Sequence, residues 1–241
     1  MIKFCGHGLL LDIEGTTSAV AYVYDVMFPY ARRELGAYLV KHGKDDALVP
    51  VLDQIARDAG AAGYAEWTAG DERPLDRVRD EVVRLMDGDI KATGLKQLQG
   101  VIWEDGFKSG ELKAHVYPDV APAIDQWRDT GRDVRIYSSG SIHAQRLFFA
   151  HSEAGDLTPH FSGHYDTTTG PKREAASYAA ILQDWGLAPG EVLFLSDVVA
   201  ELDAAAEAGL ATALVVRPGN APVEPGHGHA EIASFSEITL A

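Results

Sequence analysis

Short apolar runs that break off at polar residues mark this chain. Residues 9–13, with three consecutive leucines, are expected to form a buried strand that runs into Asp-x-Glu-Gly-Thr-Thr, because an apolar run of this length bounded by Gly suits a parallel sheet. Three later runs have the same form. Residues 134–137 lead into Ser138-Ser139-Gly140-Ser141, residues 192–195 into Ser196-Asp197, and residues 213–216 into Arg217-Pro218-Gly219. Between them lie helical spacings: Val120, Ile124 and Trp127; Leu147 and Phe148; Tyr178, Ile181, Leu182 and Trp185; then an Ala-rich stretch stopped by Gly209. Strands alternating with helices predict an α/β fold with a doubly wound parallel sheet.

Residues 20–113 break this alternation. Apolar positions recur at helical intervals at Val26, Tyr30, Leu35 and Leu39, at Val51, Leu52 and Ile55, and at Leu75, Val78, Val82 and Leu85, with no strand-like run. The pattern predicts an all-α domain (20–113) inserted after the first strand of a core made from 1–19 and 114–241. An insert at that point is expected over the carboxyl edge of the sheet, where open α/β sheets bind ligands. The aromatic cluster of Tyr22, Tyr24, Phe28 and Tyr30 is read first as helix packing and second as a substrate wall. The Pro- and Gly-rich stretch from Pro218 to Gly228 is expected to be a surface loop.

Composition narrows the function. The 241 residues carry 36 Asp+Glu against 21 Lys+Arg, a net charge of −15. Such a surface repels nucleic-acid backbones and anionic membranes, and an anionic substrate needs a strong local source of positive charge. The run at Leu9–Leu11 is cut by Asp12 well short of a membrane span or signal segment, so a cytoplasmic protein is expected. A single cysteine, Cys5, excludes an internal disulfide, and the histidines, including His151, His160, His164, His227 and His229, show no metal-ligand spacing.

The strand ends hold the chemistry. Asp12 and Glu14 stand two apart where the first strand stops and, if it continues extended, share one side. They also suit an ordinary turn. Asp197 ends another strand and can lie beside Asp12, completing an oxygen-donor set suited to Mg²⁺; taken singly it reads as a helix N-cap. Glu201, four residues on, is either a second support for that set or a solvated first-turn acid. Ser138, Ser139 and Gly140 precede a helix N-terminus, a ready anion site, though Ser141 as N-cap explains them as well. Lys172 opens a helical pattern, where the helix dipole disfavours a cation unless an anion is near; a plain surface lysine is the alternative.

Taken in order, Leu11-Asp12-Ile13-Glu14-Gly15-Thr16-Thr17, Ile136-Tyr137-Ser138-Ser139-Gly140-Ser141, Lys172 and Phe194-Leu195-Ser196-Asp197 resemble the four strand-end motifs of the haloacid-dehalogenase-like superfamily. Within it, Glu14 in place of a second aspartate, together with Gly110-Glu111-Leu112-Lys113-Ala114-His115-Val116-Tyr117-Pro118-Asp119-Val120, is similar to the enolase-phosphatase family. That resemblance implies Asp12 as nucleophile and metal ligand, and Glu14 as metal ligand and acid/base. It implies Asp197 as the remaining ligand of one Mg²⁺ per chain, with Ser138, Ser139 and Lys172 binding the substrate's phosphoryl group. The implied substrate is a small phosphorylated diketone, and the implied partners exclude nucleic acid, membrane and a second subunit. A phosphomonoesterase for another small metabolite shares every core residue. A mere binding protein has no need of all four charged side chains, and dehalogenation does not require the metal-binding acids.

Overall fold

The computed structural model describes all 241 residues, which fall into two compact units: residues 1–23 with 113–241, and residues 24–112. The first unit holds β1 (Ile2–Phe4), β2 (Gly8–Leu11), β3 (Asp133–Tyr137), β4 (Gly163–Tyr165), β5 (Val192–Ser196), β6 (Ala211–Val215), β7 (Ala230–Ile232) and β8 (Ile238–Leu240). Six of these form one sheet in the order β4-β3-β2-β5-β6-β7, every pair parallel, while β1 and β8 pair separately. From β2 the chain proceeds outward through β3 and β4, then crosses back to β5 on the other side of β2 and on to β6 and β7. The order therefore reverses at β2 and β5, and a reversal of this kind opens a crevice at the carboxyl ends of the strands.

Alternation along the strands divides the core. Leu10, Tyr137, Phe194 and Leu214 pack with Tyr178, Ile181 and Leu182 of α9 (Ala175–Trp185) and Leu202 of α10 (Val199–Glu207). Leu9, Leu11, Ile136 and Leu195, also fully buried, turn to the opposite face. That face belongs to α7 (Val120–Asp129) and α8 (Ile142–Ala150), whose Ile124, Trp127 and Phe149 are equally buried. Burial on both faces explains why β2 and β5 read as nearly unbroken apolar runs, while the half-buried Arg135 interrupts β3.

The second unit is helical. After a single helical turn, α1 (Val20–Tyr22), and a wide turn at Val23–Met27, it comprises α2 (Phe28–His42), α3 (Val49–Asp58), α4 (Tyr64–Trp67), α5 (Pro74–Asp87) and α6 (Thr93–Ser109). Leu35, Leu39, Leu52, Ile55, Val78, Val82 and Leu98 form its core. Gly94 permits α6 to meet α3: a β-carbon there would lie 2.6 Å from the Ile55 nitrogen. The Asp58 carboxylate accepts the Gly94 N–H at 2.6 Å, so α3 caps the start of α6. Of the aromatic cluster, Tyr22 and Tyr30 are buried while Tyr24 and Phe28 are exposed edge to face. No helix in either unit is long and apolar enough to cross a membrane.

Candidate active site

The strand expected at 9–13 stops at Leu11. Asp12 donates its N–H to the Leu195 carbonyl at 3.0 Å, one last rung of the ladder with β5. The chain then coils on itself. The Ile13 carbonyl accepts the N–H groups of Thr16, Thr17 and Ser18 at 3.2, 3.0 and 2.9 Å, and the Thr17 hydroxyl lies 3.2 Å from both the Asp12 and Ile13 carbonyls. Glu14 therefore sits on a tight turn, bridged to Ser18, and the extended continuation that would align it with Asp12 is absent. Gly15 makes the turn possible with φ of 72°.

Lys172 meets Asp12 in a buried ion pair. Its Nζ is 2.7 Å from Asp12 Oδ1 and 2.6 Å from Glu201 Oε2, and its side chain is 8% exposed. Burial works against the ammonium, but the two carboxylates outweigh it and hold the pKa above the ordinary lysine value. Lys172 precedes α9 rather than opening it, in a turn whose carbonyls are held one by one. Tyr137 OH donates to Gly170 O at 2.8 Å, Ser177 Oγ to Pro171 O at 2.7 Å and Tyr178 OH to Lys172 O at 2.7 Å. A lysine off the helix escapes the unfavourable end of its dipole.

Asp197 follows β5 directly, and the N-cap of α10 is Val198, not Asp197. Its carboxylate rests on Gly15: a β-carbon at that glycine would lie 2.1 Å from Asp197 Oδ2. Burial first, then the neighbouring Asp12, push the Asp197 pKa up to about 7. Glu201 is no solvated acid. It accepts from Ser196 Oγ at 3.0 Å as well as from Lys172, and burial and Asp12 raise its pKa. Asp12, Asp197, Glu201 and Lys172 thus form one electrostatic group.

Ser138 and Ser139 follow β3 at the same edge, since Leu11 pairs with Ile136. Ser138 is buried and Ser139 exposed. Ser141 does cap α8, accepting the Ala144 N–H at 3.2 Å, and Asp166 Oδ2 takes the Ile142 N–H at 3.1 Å. The amides of Gly140, Ile142 and Ala144 are thus already taken, while the Ser138 and Ser139 hydroxyls stand beside them as further donors for an anion. Gln145 braces this loop by donating to the Gly140 and Tyr165 carbonyls, both at 2.8 Å. Asp166 and Gln145 escaped sequence reasoning; only the spacing of Asp166 to Thr168, whose N–H it accepts at 2.8 Å, carries a turn signal.

As the side chains stand, no three acids, cysteines or histidines converge closely enough to hold an ion, and Asp12 Oδ1 is turned onto Lys172. The donor set nonetheless suits a hard divalent cation. Asp12 and Asp197 are near enough for one to raise the other's pKa, and the single ammonium is shared by Asp12 and Glu201. The cluster retains net negative charge for a cation to offset.

The chain matches the haloacid dehalogenase-like hydrolase family over residues 8–209. It is 49% identical to the enolase-phosphatase E1 of Synechococcus elongatus over 233 residues, 95% of this chain and 96% of that protein. Against the enolase-phosphatase E1 of Azotobacter vinelandii the identity is 46% over 232 residues, 96% of each chain. The crystal structure of the UTR4 protein of Saccharomyces cerevisiae superposes with a TM-score of 0.79 at 34% identity, covering 96% of this chain and 99% of that one.

Proposed function

Because the chain belongs to the haloacid dehalogenase-like hydrolases and, within them, to the enolase-phosphatase E1 family, we propose that it is a Mg²⁺-dependent bifunctional enzyme of methionine salvage. It converts 2,3-diketo-5-methylthiopentyl-1-phosphate to the enol phosphate and then to acireductone (1,2-dihydroxy-3-keto-5-methylthiopentene) and phosphate. The observation that carries this assignment is the buried Lys172 ammonium, 2.7 Å from Asp12 at the switch point of the sheet.

Lys172 takes Asp12 Oδ1, which leaves Oδ2 to attack phosphorus. In this scheme Glu14 protonates the departing oxygen, and water then hydrolyses the aspartyl-phosphate to regenerate Asp12. Ser138 and Ser139 donate to the phosphoryl oxygens, with Lys172 as the nearby positive charge. Electrostatics supports a metal. Two like unit charges about 4 Å apart at an effective dielectric of about 20 cost about 4 kcal/mol, and Asp12 and Glu201 already share the only ammonium in the cluster. Asp12, Glu14 and Asp197 are the residues that would hold Mg²⁺. When bound, the ion neutralises phosphoryl charge and acts as a Lewis acid toward the enolate oxygen. We also place the reaction in the cytoplasm, with one Mg²⁺ per monomeric chain.

Product analysis by ³¹P and ¹H NMR with the diketo phosphate tests this. Acireductone and inorganic phosphate are expected with Mg²⁺, neither with excess chelator, and no phosphate from a folded Asp12→Asn variant. Undiminished release under chelation would sink the metal requirement. Faster turnover of another small phosphate ester would assign a plain phosphomonoesterase instead.

A further inference from the structure

The loop after β6 carries Val-Arg-Pro-Gly-Asn at 216–220, which has no part in the scheme above. Strand β6 lies next to β5 and one place beyond it from β2, and its loop reaches the turn that bears Glu14. Asn220 Nδ2 donates to the Gly15 carbonyl at 2.9 Å and to the Val215 carbonyl at 3.1 Å, which ties the turn to the end of β6. Arg217 Nε donates to the next carbonyl, Thr16 O, at 3.2 Å.

Arg217 is itself fixed from several sides. Its Nη1 donates to Asp119 Oδ1 at 3.0 Å and to Ala233 O at 2.9 Å, and its guanidinium lies over the Tyr117 ring at 4.3 Å and the Phe235 ring at 5.0 Å. Asp119 Oδ2 accepts the Ser234 hydroxyl at 3.0 Å and the Phe235 N–H at 2.7 Å. A chain of contacts therefore runs from Asp119 through Arg217 to the Thr16 carbonyl, two residues after Glu14, and Asn220 grips the carbonyl of Gly15, directly after Glu14.

We propose that Arg217 and Asn220 are positioning residues that clamp the Gly15 and Thr16 carbonyls and thereby set the spacing between Glu14 and Asp197 for the metal. The link to Asp197 is steric. Its carboxylate lies against the Gly15 α-carbon, so closely that a β-carbon would overlap it at 2.1 Å from Oδ2. Any shift of Gly15 moves the seat of Asp197 and the backbone of Glu14 together. Mg²⁺ demands near-ideal octahedral geometry with oxygens at about 2.0–2.1 Å, so it is the ligand most sensitive to such a shift.

This inference rests on the assignment of Asp12, Glu14 and Asp197 as the metal-holding residues. Its test is calorimetric titration of the substrate-free protein with Mg²⁺ alone, for wild type, Asn220→Ala and Arg217→Lys. The Mg²⁺ Kd is expected to rise about 10–100-fold in each variant, the usual cost of losing an outer support of a metal site. At saturating Mg²⁺ the KM for the diketo phosphate is expected to stay within twofold of wild type. A merely structural role would lower the thermal midpoint of the metal-free protein and leave the Mg²⁺ Kd unchanged. A Kd within twofold of wild type in Asn220→Ala, the half-exposed and milder change, overturns the clamp even where Arg217→Lys does not fold. Wild-type protein that binds Mg²⁺ but does not turn over the diketo phosphate defeats the proposed substrate alone, and the variants' Kd still decides the clamp.

Discussion

Lys172 shows how much one side chain carries here. Its ammonium offsets Asp12 and Glu201 in a buried cluster, and breaking such a group by removing one partner leaves uncompensated charge. Lys172→Met is expected to cost on the order of 3–5 kcal/mol of stability and to lower kcat by at least about 10²-fold. Added Mg²⁺ is expected to recover part of the stability but not the rate, as read by denaturant titration with and without the ion. Asp12 and Asp197 were legible in sequence because each stands where an apolar run ends; Lys172 was singled out as a cation opening a helix, whereas it lies in the turn ahead of α9 and owes its place to Asp12 and Glu201. Glu201 was not. A first-turn glutamate looks the same whether it faces water or Ser196 and Lys172, and only the packing of α10 distinguishes the two. Nor does sequence show that the Gly15 and Thr16 carbonyls find donors about two hundred residues away in Asn220 and Arg217.

Among elements, the central strands were legible and the edges were not. β2 and β5 are buried along their whole length and read as apolar runs, and β3 and β6 end in apolar residues, whereas β4 is Gly-His-Tyr and β7 Ala-Glu-Ile, too short and mixed to stand out. Helix α6 escaped for another reason: Gly94, Gly100 and Gly106 interrupt its pattern, and glycine ordinarily argues for a helix end. Two of them are demanded by close approach, Gly94 to the Ile55 backbone and Gly106 to the Tyr30 ring. At the edge of the sheet, His164 of β4 meets Gln145 of α8, Nδ1 to Oε1, at 3.1 Å. Burial first, then the charge of Arg146, push its pKa down to about 4 from 6.5. The unfolded chain therefore binds a proton between those values that the folded one refuses, so stability is present above about pH 6.5 and is lost as pH falls toward 4. Urea denaturation across that range is expected to show this loss, and His164→Asn to flatten it.

For the molecule as a whole, a net charge of −15 opposes an anionic substrate. Near a surface that negative, added salt screens repulsion with a Debye length of about 10 Å at 0.1 M and about 8 Å at 0.15 M. kcat/KM for the diketo phosphate at saturating Mg²⁺ is expected to rise as ionic strength increases from about 0.01 to 0.15 M. A fall would mean that the local field near Lys172 dominates the approach. The Asp12 N–H closes the ladder between β2 and β5, with Leu11 opposite Leu195 immediately before it. Were the two strands to slip by one residue, the Asp12 carboxylate, the proposed nucleophile, would be turned into oil and a leucine presented to the ester, because side chains alternate faces at every step. Correct alignment of the hydrogen-bonded backbone and possession of a working catalyst are in this protein one and the same condition.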